Sequence, residues 1–308
     1  MPLERTNIRS MLGLRFRDGA TEKPVTDGLR VTVRHGKGRG RVTRAVRTTS
    51  GAYAAQGLPG LRAYERSAAS VLEESIEFLV SVEDPRGRYV PVTLSVDLPY
   101  TPKDGDRGLY PIAEMSSESG ENVEPTCYLF SAVERPVGPG RSVVYADLRE
   151  QGGSKPASHA VLEVTWKSKG TCRNGDMSDK SSLEEKVWHG VADARGRVAV
   201  QFPMPPIQLE ELSDSPDDGN ENTGDEEGQP ISSTRCWGLE IKVRYESLGA
   251  ERPLLSSILS QGYGKLYTEP GDDNDNKVES REVTLHYGEP LVLKTDDRPT
   301  LWIAEDTE

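Results

Sequence analysis

VEDPRGRYVPV, residues 82–92, has a shorter echo in VADARGRVAV, residues 191–200. In each, an apolar residue leads into Asp-x-Arg-Gly-Arg and then into a second apolar run. Aspartate before a glycine-containing turn accepts hydrogen bonds from the backbone just downstream, and glycine takes the positive-φ position. The pattern reads as strand, hairpin turn, strand, used once in each of two related modules. On this reading Arg86, Arg88, Arg195 and Arg197 flank the turns and point into solvent. The competing reading makes these four arginines contacts for an anion or a partner.

Outward from the turns, the dominant hydrophobic period is two. GLRVTVRHG (28–36), EFLVSVEDP (77–85) and YVPVTLSVDLP (89–99) alternate apolar and polar residues. So do the later stretches RSVVYADLRE, HAVLEVTWKS, GRVAVQF, GLEIKVRYES, REVTLHYGEPLVLKT and PTLWIAED. Each is a short strand with one buried and one wet face, bounded by turn residues. The best helix candidates are 181–190, 252–264 and 69–75; of these 252–264 places Leu254, Leu255, Ile258 and Leu259 on one face. The fold expected is all-β: two tandem antiparallel β-sandwiches of transthyretin/Ig-like type with one or two short helices. The first sandwich spans 1–103, a linker 104–124, and the second 125–308.

A chain of 308 residues is long enough for two such cores. It is polar, with 29% charged residues, and 30 Gly with 21 Pro favour many turns over long helices. No apolar run reaches 18 residues, so no transmembrane helix and no direct membrane insertion are expected. Arg5, Arg9, Arg15 and Arg17 interrupt the N-terminal apolar stretches, which leaves no signal-peptide core. A cytoplasmic protein, assembled into a particle that is released or membrane-associated, is the corresponding expectation.

The net charge of −12 is unevenly spread. Residues 1–66 carry 14 Lys/Arg against 5 Asp/Glu, whereas 210–228, EELSDSPDDGNENTGDEEG, holds nine acidic residues and no basic one. That composition buries no core, so an acidic, disordered insertion is expected over about 208–234. The basic end centres on RHGKGRGRVTRAVR (34–47), a hairpin tip that supplies Arg34, Lys37, Arg39 and Arg41 as further candidate partner contacts. It has no aromatic residue to stack on bases, which favours docking to an acidic protein surface over nucleic acid.

Catalytic and metal signatures are scarce. Cys127, Cys172 and Cys236 lack any CxxC spacing and are expected to be plain thiols. The four histidines, His35, His159, His189 and His286, form no HExxH, and HAVLE (159–163) has the wrong spacing for a His-x-x-Glu metal pair. His159 and His286 read as ordinary strand residues. There is no GxSxG, P-loop or GxGxxG, so neither an enzyme nor a cofactor is expected. Asp272, Asn274 and Asn276 fit the first ligands of a calcium loop. Lys277 and Val283 occupy the positions where that loop requires Gly and Glu, so 271–276 reads as a solvated loop with at most weak calcium binding.

EKPVTDGLRVTV followed by TTSGAYAAQGLPGLRAYE resembles the carboxypeptidase regulatory-like (transthyretin-like) β-sandwich. The resemblance rests on a strand, a Pro-containing turn, Thr48 or Thr49 with Gly51 and Tyr53, and Leu58-Pro59 before Gly60 and Leu61. Over most of the chain, the order DGLRV, GAYAAQGLPGLR, VEDPRGRYVPV, YLFSAVERPVGPG, AVLEV, GVADARGRVAVQFPMPP and GEPLVLKTDDRPTLWI is similar to proteins encoded with bacterial contractile injection systems. That resemblance implies a non-catalytic structural part of a phage-tail-like particle, in a baseplate, cap or other accessory position, whose partners are the particle's other subunits. The first ten or so residues would then be an arm that orders on docking. The alternative is a free-standing sandwich that binds glycan or protein through its end loops. Trp166, Trp188, Trp237 and Trp302 fall in or beside strands, which weakens the glycan reading.

Overall fold

The computed structural model describes residues 10, 12–37, 40–61, 75–99, 127–151, 153, 155–173, 176–182, 185–204, 234–249, 252–268 and 277–305. Among them the chain is all-β with one short helix, and its strands enclose two buried apolar clusters.

The first cluster lies between two sheets. One has the order β4-β3-β7-β8, built from β3 (Arg30–His35), β4 (Thr43–Arg44), β7 (Ile76–Glu83) and β8 (Val92–Leu98). The other has the order β1-β6-β5, from β1 (Leu12–Leu14), β5 (Val46–Arg47) and β6 (Tyr53–Ala55). Alternation sets the faces: Val31, Val33, Phe78, Val80, Val82, Leu94 and Val96 point inward against Leu12, Leu14, Tyr53 and Ala55. Leu58 and Leu61 of the Leu-Pro turn are fully buried beneath them. Each such side chain contributes roughly 1.5–3 kcal/mol by leaving water. That anchors a β1 only three residues long.

The second cluster lies between two further sheets. β10 (Arg141–Glu150) is flanked by β14 (Arg197–Pro203) on one side and by β19 (Leu291–Val292) and β20 (Leu301–Ala304) on the other. β16 (Lys265–Tyr267) and β17 (Lys277–Val278) extend that sheet beyond β20. Facing it, the 13-residue β11 (Val161–Arg173) pairs with β15 (Thr234–Arg244) on one edge; β15 in turn pairs with β18 (Arg281–His286). Along its other edge β11 pairs with β13 (Val187–Val191) and then β12 (Asp176–Ser182). Val144, Leu148, Val198, Val200 and Phe202 pack on Leu162, Val164, Trp188, Leu239, Ile241 and Val243.

Several expectations change. The segment 181–190 is not a helix: Ser181 and Ser182 end β12, Glu185 and Lys186 are irregular, and 187–190 belong to β13, where Trp188 and Gly190 are buried at a period of two. The helix in 252–264 is present but short, α1 (Leu255–Leu259), and it buries Leu255 and Ile258. Cys127–Phe130, expected to open the second sandwich, lie in the first cluster, because β9 (Cys127–Leu129) pairs in parallel with β2 (Phe16–Asp18). Val161, Val191 and α1 also contribute to the first cluster, so the two cores interlock. His159 sits at φ 63 in a turn rather than within a strand. The 69–75 helix candidate lies outside the described residues apart from its last residue. The N-terminal arm, apart from its last residue, the 104–124 linker and 271–276 lie outside them, as does the acidic insertion up to the start of β15.

Cys172 and Cys236, expected as thiols, form a disulfide with Cα atoms 5.8 Å apart. Sequence spacing hides their adjacency. The β11–β15 register places Cys172 opposite Thr234 and Cys236 opposite Gly170, so the two cysteines are diagonal neighbours. Cys127 remains a free thiol, pushed up to about 12 by complete burial.

The two Asp-x-Arg-Gly-Arg segments share a local geometry and differ in topology. Asp84 accepts the N–H groups of Arg86 (3.1 Å) and Arg88 (2.9 Å), and Asp193 accepts those of Arg195 (2.8 Å) and Arg197 (3.0 Å). The first turn closes the antiparallel β7–β8 hairpin. The second is not a hairpin within one sheet: it carries the chain from β13, paired with β11, to β14, paired with β10. Lack of a side chain at Gly190 permits the crossing, since a Cβ there would lie 2.8 Å from both Val198 and Val200. One turn is therefore open to solvent and the other is wedged against β10.

This difference is measurable. Gly87 (φ 68) has nothing within 4 Å of an added Cβ, whereas at Gly196 (φ 82) the Cβ would meet the Leu148 carbonyl oxygen at 2.3 Å. Gly87→Ala should cost about 1–2 kcal/mol, the left-handed penalty alone, and Gly196→Ala clearly more in denaturant unfolding. Equal losses would contradict the crossing. Replacing both Cys172 and Cys236 by Ser should lower unfolding free energy by about 4 kcal/mol, the chain-entropy value for a sequence separation of 64; intact mass before and after reduction and alkylation reads the bond directly.

Candidate interaction surface

The basic stretch folds as a hairpin because Val31 and Val33 are drawn into the first core, leaving Thr32 and Arg34 on the outward face. The chain returns as β4 with Thr43 opposite Val33 and Arg44 opposite Thr32, so Arg44 shares the outward face with Arg34. The Ala45 N–H donates to the Val31 carbonyl (2.9 Å) before the strand changes partner and pairs as β5 with β6. Residues 43–47 therefore run along the edges of both sheets of the first core.

Along this edge the side chains are unusual. Val42 and Val46 are 58% and 69% exposed on either side of Arg44. Arg34, Lys37, Arg41, Arg44 and Arg47 are all exposed, and none has an acidic partner among the described residues. Neighbouring Arg30, by contrast, is paired with Glu83 at 3.8 Å. Single exposed valines are ordinary on a surface. Two of them interleaved with arginines that have no acidic partner among the described residues make a mixed apolar and basic stripe on a strand edge, suited to a protein partner. Arg39 lies outside the described residues.

The turn arginines divide. Arg88 folds back on its own turn, its Nε donating to Asp84 Oδ2 at 2.8 Å and its Nη2 to the Asp27 carbonyl at 3.1 Å. Arg197 does the same with Asp193 (Nε–Oδ2 3.0 Å) and also reaches Glu134 (2.7 Å). Burial pushes the Asp84 carboxyl up; the Arg88 guanidinium and the two backbone N–H groups outweigh it and hold the group below the usual range. The expectation that both arginines of each turn reach into solvent is thus corrected: the second one locks the turn. Arg86 remains exposed in a loose pair with Asp27 (3.7 Å), and Arg195 is exposed with no acidic partner among the described residues.

Two buried ionic clusters had no sequence signal. In the first, Arg135 Nη1 donates to Asp18 Oδ1 (2.9 Å) and Ser131 Oγ (3.0 Å), and its Nη2 reaches Asp18 Oδ2. The Tyr89 hydroxyl donates to the same carboxylate (3.3 Å), and the Tyr89 ring lies between the Arg88 and Arg135 guanidiniums at 5.3 and 5.0 Å. Burial raises the Asp18 carboxyl, but the hydrogen bond and charge of Arg135 win and hold it below 3.8. Burial, reinforced by the Asp18 charge, lifts the Tyr89 hydroxyl to about 12. In the second cluster, Glu163 accepts Arg244 Nε (2.6 Å) and the Tyr263 hydroxyl (3.1 Å), with His189 Nε2 at 3.4 Å. Burial would raise Glu163; His189 and then Arg244 hold it below 4.5. A carboxylate already neutralised by a guanidinium acts as a structural anchor. The exposed Tyr263 ring is itself covered by Arg244 at 4.7 Å, and Tyr287 leans on Trp237 at 5.9 Å.

Among the described residues no three His, Cys, Asp or Glu side chains converge as metal ligands, and no helix is long and apolar enough to cross a membrane. Trp188, Trp237 and Trp302 are buried core residues, and Trp166 packs against Trp188 at 4.4 Å.

Asp18→Asn should cost about 3–5 kcal/mol near neutral pH, because it leaves Arg135 buried without its counter-charge. The folded carboxyl lies below its ordinary 3.8, so this contribution is complete above that value and fades as pH falls through the lower folded one. Urea midpoints for wild type and variant should therefore converge in strong acid; a constant gap down the whole acid range would contradict the ion pair.

Comparison with protein-family models, with curated proteins and with solved structures gives no match for this chain.

Proposed function

We propose that the protein is a non-catalytic structural component of a contractile, phage-tail-like particle and acts by docking on neighbouring subunits. The observation that carries the docking mode is the β3–β5 edge, where five exposed cations lack counter-charges among the described residues and two valines stand more than half exposed. The particle itself is supported by the sequence resemblance to proteins encoded with contractile injection systems. Charge steers encounter and fixes register, while the valines supply the apolar area that holds the contact. Arg88, Arg197, Arg135 and Arg244, by contrast, are each committed to a carboxylate of the same chain.

The triple variant Arg34→Glu, Arg44→Glu, Arg47→Glu alters exposed positions only and should melt within a few degrees of wild type. It should fail to co-sediment with particles from cells that produce sheath and baseplate proteins, while wild type does so in a salt-sensitive manner. Affinity capture of the wild-type chain from its native host that recovers no tail-like protein, or full incorporation of the triple variant, would sink the proposal.

A further inference from the structure

β18 ends its sheet: the strand order is β12-β11-β15-β18, and among the described residues β15 is its only strand partner. The Tyr287 N–H donates to the Arg235 carbonyl (3.0 Å), and from there the register runs unbroken to Ile241 opposite Arg281. In an antiparallel ladder, pairs that bond each other alternate with pairs whose backbone groups point apart. Val283, Leu285 and Tyr287 therefore turn their backbone groups to β15, while Glu282, Thr284 and His286 turn theirs to the open edge. Among the described residues the backbone groups of Glu282 and Thr284 find no partner there, and the His286 carbonyl meets only the Glu289 N–H (3.2 Å). The strand has no Pro or Lys, the residues that commonly blunt an exposed edge.

Its side chains are self-complementary about Thr284. Leu285 is buried in the second core and Val283 packs against it, which leaves Glu282, Thr284 and His286 on the outward face. Glu282 is exposed and has no cation among the described residues, because Lys167 and Lys242 pair with Glu240 instead (3.2 and 3.5 Å). When the strand is laid antiparallel on itself with Thr284 opposite Thr284, Glu282 falls opposite the copy's His286, so a carboxylate meets an imidazole that can donate to it. Val283 falls opposite the copy's Leu285, and Arg281 opposite the copy's Tyr287, whose ring is 48% exposed. Opposed Thr–Thr, unlike polar and cation–aromatic pairs of this kind favour association. The residues with outward backbone groups are also those that face each other, so each Thr284–Thr284 and Glu282–His286 pair exchanges two hydrogen bonds. Sliding by two residues keeps that parity but sets Glu282 opposite Thr284 and His286 opposite Ser280, and both acid–imidazole pairs are lost. We infer that β18 is a self-association edge, on which a second copy of this chain pairs antiparallel about Thr284 and the two sheets join across a twofold axis. Such a contact is isologous and closes at a dimer.

The inference is independent of the β3–β5 edge and is tested on the full-length protein. In sedimentation velocity, wild type should pass from monomer to dimer as concentration rises. Hydrogen exchange should slow at the amides of Glu282, Thr284 and His286 in step with the dimer, while those of Val283 and Leu285, already bonded to β15, stay protected throughout. Thr284→Pro removes an outward N–H and no bond to β15, so it should melt within a few degrees of wild type and remain monomeric. His286→Glu sets a second carboxylate against each Glu282 and should raise the dimer dissociation constant on the order of tenfold. Combining Glu282→His with His286→Glu restores unlike pairs and should return the constant to the wild-type range, a rescue that damage to the fold would not produce. Wild type that stays monomeric at every concentration, a dimer whose 282, 284 and 286 amides exchange as in the monomer, or a double variant no tighter than His286→Glu overturns the inference.

Discussion

The buried pair between Asp18 and Arg135 is the constraint on which the rest of the structure turns. Asp18 ends the short β2, Arg135 follows the segment that pairs with it, and Tyr89 enters β8 from the Asp84 turn. The carbonyl of Arg135 also accepts the side-chain amide of Gln201 on β14 (3.1 Å), so the same residue reaches from the first core to the second. Two charges in so dry a place are tolerable only as a pair with their remaining hydrogen-bonding groups satisfied. Ala20, Ser131 and Tyr89 complete that shell. The consequence is specificity: an alternative register of β2 against β9 would strand a charge.

Below that level, one local device is used in two topologies. Aspartate gathers the turn's N–H groups, glycine takes the positive φ, and the second arginine clamps the aspartate from outside. Such a turn is stable in its own right, so it suits both a hairpin and a passage between sheets. What separates the uses is the neighbourhood: solvent around Gly87, and the carbonyl of Leu148 beside Gly196.

The strand content was legible because a period of two survives inspection residue by residue, as in Val31 and Val33 or Val198 and Val200. The hairpin from Arg30 to Arg44 could likewise be placed from its glycine-rich tip. Features that depend on register were not legible. Cys172 and Cys236 are distant in sequence and adjacent only once β11 and β15 are aligned. Residues 181–190 were misread as helix because Glu185, Lys186 and Trp188 are acceptable in either state, and the pairing of β13 with β11 decides between them. Asp18, Arg135, Glu163 and Arg244 look like any surface charges in the sequence; their burial follows from long-range packing. Of the candidate contact residues on the basic hairpin, Arg34, Lys37 and Arg41 are exposed, as alternation and the glycine-rich tip suggested. Sequence reasoning could not foresee that Arg88 and Arg197 fold back on their own aspartates.

The clip between β11 and β15 has a mechanical meaning. Tension on the chain entering β15 at Thr234 would load the ladder from its end, where strands peel apart one hydrogen bond after another. Cys236 stands two residues in, so peeling meets a covalent bond almost at once and the load passes to the whole β11–β15 ladder in shear. Many hydrogen bonds then resist together, and this sheet acts as a tether rather than a zipper.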